Sequence, residues 1–243
     1  MSSNESFDSL DEARDGRVHA VRTRVWDLPT RAFHWLLALC VVALVITGKV
    51  GGNALEWHMR FGHLVLALLA FRLVWGLVGG HWSRFANFVY APSTLVAFLR
   101  GERGPSGRWE AGHSPTGALS VFAMLALLIV QVLTGLVADD EIATTGPLYR
   151  FVSSAVSARA TAWHADVGSW LIIALVVLHI AAIVFYAVAK KQHLVPPMLH
   201  GDKPLPVALE ASRDDAVSRI SALVVLALSI ALAGWVWSLG APL

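Results

Sequence analysis

The chain has 243 residues, of which 56% are hydrophobic and only 15% charged, with a mean hydropathy of +0.61; this balance excludes an ordinary soluble domain and points to a protein dissolved in a bilayer. A formal net charge of +2, with no basic run, excludes nucleic acid as a partner. The single cysteine, Cys40, excludes an internal disulfide, a cysteine-held iron–sulfur cluster and a Cys-x-x-Cys-His covalent attachment site.

Residues 1–24 are polar and charged, without the apolar core of a cleavable signal, and read as a cytoplasmic tail. Asp27 and Pro29 read as the cap and first-turn proline of a first span that continues to about Val50, with His34 in its early turns. After a Gly-Gly-Asn turn, a second span runs from about Trp57 to Val78, with His58 at its start and His63 a little deeper. A loop punctuated by Pro92, Gly101, Gly104, Pro105 and Gly107 holds one short apolar piece, Leu95 to Leu99. The third span is about Thr116 to Ala138 and ends in Asp139, Asp140 and Glu141. A longer connection leads to the fourth span, from Trp163 through Tyr186 to the stop at Lys190 and Lys191; a fifth, Val217 to about Leu239, carries no histidine. The expected fold is an all-α integral membrane protein with five transmembrane helices.

Cations set the expected orientation. The tail and the second and fourth loops hold 14 Lys or Arg residues, whereas the opposite side holds Lys49, Arg60, Arg150 and Arg159. The excess of positive charge inside then places the N-terminus in the cytoplasm and, after five spans, the C-terminus in the periplasm of a bacterial inner membrane.

The fourth span carries the chemistry. His164 and His179 are 15 positions apart, which on an α-helix is about 22 Å and a little over four turns, so both fall on one face at two depths of the hydrocarbon layer. An ionisable side chain there is costly, and imidazole is a standard axial ligand of haem iron. The topology matches His34 in depth with His179, and His58 with His164, giving two bis-histidine sites stacked across the membrane. The alternative is an interfacial histidine beside Trp163 and a hydrogen-bonded core histidine. Gly62 and Gly168 each follow a ligand by four residues, where a flat macrocycle could lie close, although plain helix packing would use the same glycines. Arg72, 14 residues after His58, reaches the depth of the cytoplasmic site, either to hold a haem propionate or to snorkel to headgroups. His63 competes with His58 as ligand and loses on depth. His113 reads as a boundary residue bonded to a propionate or a loop carbonyl.

The segments VWDLPTRAFHW, HMRFG with FRLVWGLVG, GHSPTGALSVFAMLALLIVQVLTGL, WHADVG with LHIAAIVFY, and PMLHGDK come in that order across about residues 24 to 203. Together they resemble the prokaryotic dihaem cytochrome b561 family, which includes cytochrome b subunits of nickel–iron hydrogenases. That resemblance implies a four-helix transmembrane bundle over 25–203 binding two non-covalent b haems through His34, His58, His164 and His179, with 204–243 a linker and an extra C-terminal transmembrane helix. It also implies electron transfer between the quinone pool and a periplasmic partner, such as a c-type cytochrome or an oxidoreductase subunit. The span from Val217 lies outside the resemblance. A free-standing membrane oxidoreductase, for instance one oxidising superoxide, is a second expectation. A non-haem proton-coupled transporter is a third, disfavoured because the fourth span lacks acidic relay partners. The acidic start of the loop from Asp139 to Trp163 is an expected part of the partner's docking surface.

Overall fold

The computed structural model describes residues 20–102, 104, 107–142 and 144–240; the expected tail up to residue 19 lies outside them. The chain begins with a short strand, β1 (Val21–Arg24), and enters α1 (Leu28–Val50) at Asp27, whose carboxylate accepts the Thr30 N–H at 2.8 Å beside Pro29. Gly51, in the left-handed region at φ +68, closes α1 and turns the chain into α2 (Ala54–Val78). Two single 3₁₀ turns, α3 (Pro92–Leu99) and α4 (Arg108–Ala111) make up the following loop. Ser114 then caps α5 (Pro115–Leu136) through the Gly117 N–H at 3.2 Å. Next comes α6 (Ser154–Ala189), a single 36-residue helix interrupted over Trp163–Gly168 by a π-turn. A short α7 (Val195–His200) and β2 (Asp202–Leu205) lead to α8 (Ala216–Ser238), capped by Asp215.

Five of these helices, α1, α2, α5, α6 and α8, are long and apolar enough to cross a membrane. The outward faces carry Leu39, Leu77, Leu178 and Leu223, all more than 60% exposed, as a lipid-facing surface requires. The most buried span is α2: it packs on α1, α5 and α8, and Val65, Leu68, Leu69, Phe71 and Trp75 form its inner face. The last helix, α8, rests mainly on α2 and also touches α1.

One end of the bundle is closed by a clasp that the tail expectation missed. Residues 21–24 pair antiparallel with 202–205, so a boundary drawn at 24 and at 203 cuts through a two-stranded ribbon. Arg24 bridges Asp202 at 2.5 Å and Asp214 at 2.7 Å, and Asp214 also takes Arg219 at 3.1 Å. Burial alone would raise the Asp214 pKa; the bonds from Arg219, the Leu28 N–H and Arg24 outweigh it and hold the carboxyl below its ordinary value. Beneath the clasp Asp27 is fully buried and accepts from Thr30 N, Trp75 Nε1, Gly80 N and Ser83 Oγ, tying the start of α1 to the end of α2. At the opposite end, Asp139 and Asp140 accept backbone N–H groups of Glu141, Ile142 and Thr144, so part of that acidic cluster shapes its own turn.

Candidate functional site

Two pairs of imidazoles sit inside the bundle, one toward the ribbon end and one toward the far end. His34 of α1 faces His179 of α6 with ring centroids 6.4 Å apart and planes at 53°. His58 of α2 faces His164 of α6 at 5.9 Å and 85°. A metal bonded on opposite sides to two imidazole nitrogens at about 2 Å, with about 1.2 Å more from each nitrogen to its ring centre, separates the centroids by about 6 Å. Both pairs have that separation. Among the described residues no three His, Cys, Asp or Glu side chains converge as a metal cage, so each site offers only the two axial donors that a four-coordinate macrocycle leaves open.

Both rings of the far pair are held by backbone carbonyls. His58 Nδ1 lies 3.0 Å from the Leu44 carbonyl and His164 Nδ1 lies 2.8 Å from the Gln131 carbonyl. A carbonyl can only accept, so Nδ1 carries the proton in both rings and Nε2 keeps the lone pair a metal needs. Each ring presses on a glycine of the neighbouring helix: a Cβ on Gly48 would come within 3.0 Å of His58, and one on Gly135 within 2.7 Å of His164. Between these helices lies a cavity of about 280 Å³ with almost wholly apolar walls, lined by His58, His164, Gly48, Gly62 and Gly135. The π-turn at Trp163–Gly168 contains His164, and an inserted residue of this kind commonly marks a functional site.

The two glycines singled out from sequence differ in place. Gly62 lines the cavity, and a Cβ there would meet nothing within 4 Å. Gly168 instead packs on α5: its Cβ would fall 2.0 Å from Gln131 Oε1. The reason is the π-turn, which widens the helix so that four residues after His164 no longer means one turn along the same face. His63 also borders the cavity, but its Nδ1 bonds the Met59 carbonyl at 2.7 Å and its ring meets Trp237 of α8 at 4.2 Å; His58, not His63, stands opposite His164.

At the ribbon end His34 Nδ1 is buried without a hydrogen-bond partner. Arg72 is 4% exposed, donates Nη1 to the Ser83 carbonyl at 3.1 Å and lies over the Phe85 ring, so it does not reach outward to headgroups. His113 is wedged between Trp26 and Phe88 with Nδ1 unpartnered. Burial, then the charges of Arg72 and Lys203, push its pKa down to about 3. Burial likewise lowers the Lys203 pKa. Buried Arg72 and half-buried Lys203 thus place positive charge near His113 at this end.

Sequence reading missed Gly48, Gly135 and Gln131. Gln131 had a usable signal, being a side-chain amide inside an otherwise apolar run. The glycines had none, because what they accommodate is on another helix.

A family model described as prokaryotic cytochrome b561 matches residues 25–201. Among curated proteins, the chain is 27% identical over 210 residues to a probable Ni/Fe-hydrogenase B-type cytochrome subunit of Cupriavidus necator, covering 74% of this chain and 86% of the relative. Similarly named proteins of Bradyrhizobium diazoefficiens and Escherichia coli are 26% and 24% identical, over 74% and 73% of this chain and 85% and 88% of theirs. The match ends before α8.

Proposed function

The chain belongs to the prokaryotic cytochrome b561 family and is a membrane b-type cytochrome, and from that premise we propose that it holds two b haems and carries electrons across a bacterial inner membrane. The observation that carries this reading is the pairing of four histidines into two sets with centroids 6.4 and 5.9 Å apart, at opposite ends of one bundle. Haem iron, when bound, supplies a one-electron ferric–ferrous couple. His34 with His179, and His58 with His164, would hold the two haems. The Nδ1 bonds of His58 and His164 fix their tautomer, and the apolar walls of the far cavity exclude water. Arg72, with Lys203 also near His113, suits a propionate at the ribbon end, where a carboxylate would offset the buried Arg72 charge. Gly62 leaves space for a macrocycle, whereas Gly168 serves the packing of α5 on α6.

By the distribution of cations the ribbon end faces the cytoplasm and the far end the periplasm. The partners proposed are a quinone in the bilayer and a periplasmic redox protein, either a c-type cytochrome or an oxidoreductase subunit of the kind the relatives' names indicate. The direct test uses liposomes containing the protein, with ferricyanide trapped inside and dithionite, which does not cross lipid, added outside. Trapped ferricyanide should be reduced with the wild type and not with His58→Ala or His34→Ala. Equal reduction by all three would refute transmembrane conduction through these sites.

A further inference from the structure

We propose that Gln131 is a positioning residue for the far imidazole pair: it holds His164 from two directions and thereby sets the orientation and donor strength of that ligand. This rests on the two-haem reading above. Gln131 meets His164 reciprocally, since its backbone carbonyl accepts from His164 Nδ1 at 2.8 Å while its side-chain Nε2 donates to the His164 carbonyl at 2.7 Å. One residue of α5 therefore grips both the ring and the backbone of a residue inside the π-turn.

The surroundings are arranged around that grip. Gly135, one turn along α5, leaves room for the imidazole, and Gly168, in the π-turn, leaves room for the amide; a Cβ at either would collide, at 2.7 and 2.0 Å. The amide is not there for its own satisfaction, because Gln131 Oε1 is buried without a partner, as is the nearby Trp163 Nε1. Leucine or methionine would fill the same space with no polar atom to desolvate. What the amide adds is the bond to the His164 carbonyl. A widened turn has more freedom than an α-turn, and the orientation of the ring, at 85° to His58, depends on where that turn is held.

A ligand histidine whose Nδ1–H is firmly bonded to a carbonyl is a stronger donor and favours the ferric state. Releasing the amide lets the turn relax, lengthens the Nδ1–H bond and favours the ferrous state, so the far midpoint potential should rise. The test is a potentiometric titration with low-temperature electron paramagnetic resonance on purified Gln131→Met, the far component being the one missing from His58→Ala. The expected result is two retained haems, an upward shift of the far potential with an altered far low-spin signal, and an unmoved ribbon-end component. Gly168→Ala keeps Gln131 but displaces its amide; it should shift the same component in the same direction, and the double variant should shift it no further than either single one. If Gln131→Met cannot hold the far haem, Gly168→Ala decides on the same readouts. An unmoved far component in a folded, loaded variant, equal shifts of both components, or additive shifts in the double variant would overturn the assignment. A wild type lacking two components would instead refute the underlying two-haem reading.

Discussion

The far and ribbon-end histidine pairs share a spacing and differ in almost everything that holds them. At the far end both rings are tied through Nδ1 to carbonyls of neighbouring helices, both rest on glycines, and one sits in a π-turn. At the ribbon end His34 Nδ1 has no partner, while the surrounding loops are tied together by the clasp and the fully buried Asp27. The far site is rigid at the ligands; the ribbon site is rigid in the shell around them. A protein can fix a metal ligand through either route, and the two routes tune a cofactor differently.

Removing ligands breaks the comparison most severely. His58→Ala or His164→Ala should abolish the far haem and leave the other, and His34→Ala or His179→Ala should do the reverse, as read by low-temperature absorption spectra. Loss of both haems in every variant would mean that the sites are not independent. Next in size come the glycines. Gly135→Ala should drive its Cβ into His164 and reduce far-haem occupancy severely. Gly62→Ala points into open space, so it should stabilise the haem-free helix by about 0.5–1 kcal/mol while lowering far-haem occupancy. Full occupancy in Gly62→Ala would show that the macrocycle does not use that space.

A smaller effect concerns potentials. Stronger imidazole donors at the far end, and buried Arg72 with half-buried Lys203 at the ribbon end, both predict the lower midpoint potential for the far haem. The 85° angle between the far ring planes, against 53° at the ribbon end, predicts the more anisotropic low-spin signal for the far haem. A far haem with the higher potential would reverse the comparison. A dependence of stability on pH is expected at the ribbon end. His113 has a folded pKa of about 3 against an ordinary 6.5, so below pH 6.5 the unfolded chain takes up a proton that the folded one refuses. Its contribution to stability is whole above pH 6.5 and falls as the pH drops toward about 3. The unfolding temperature should therefore decline over that window, and His113→Phe should flatten the decline.

The five spans were legible because apolar runs of membrane length leave little choice of structure, and Asp27 with Pro29 marked the start of the first; the caps Ser114 and Asp215 emerged only in the structure. The pairing of His34 with His179 and of His58 with His164 was legible because depth along a helix follows from counting residues. The ribbon was not: strands of four residues acquire their meaning only from partners some 180 positions away. Nor was the π-turn, since an extra residue in a helical turn leaves no mark in local composition, and the roles of Gly168 and Gln131 both depend on it.

The most direct test of the central claim is the amount and state of haem in purified, folded protein. Pyridine haemochrome assay against protein concentration should give two b haems per chain, all low-spin, released by acid acetone, and titrating as two one-electron components. One haem per chain, none, or a high-spin centre open to carbon monoxide would contradict it.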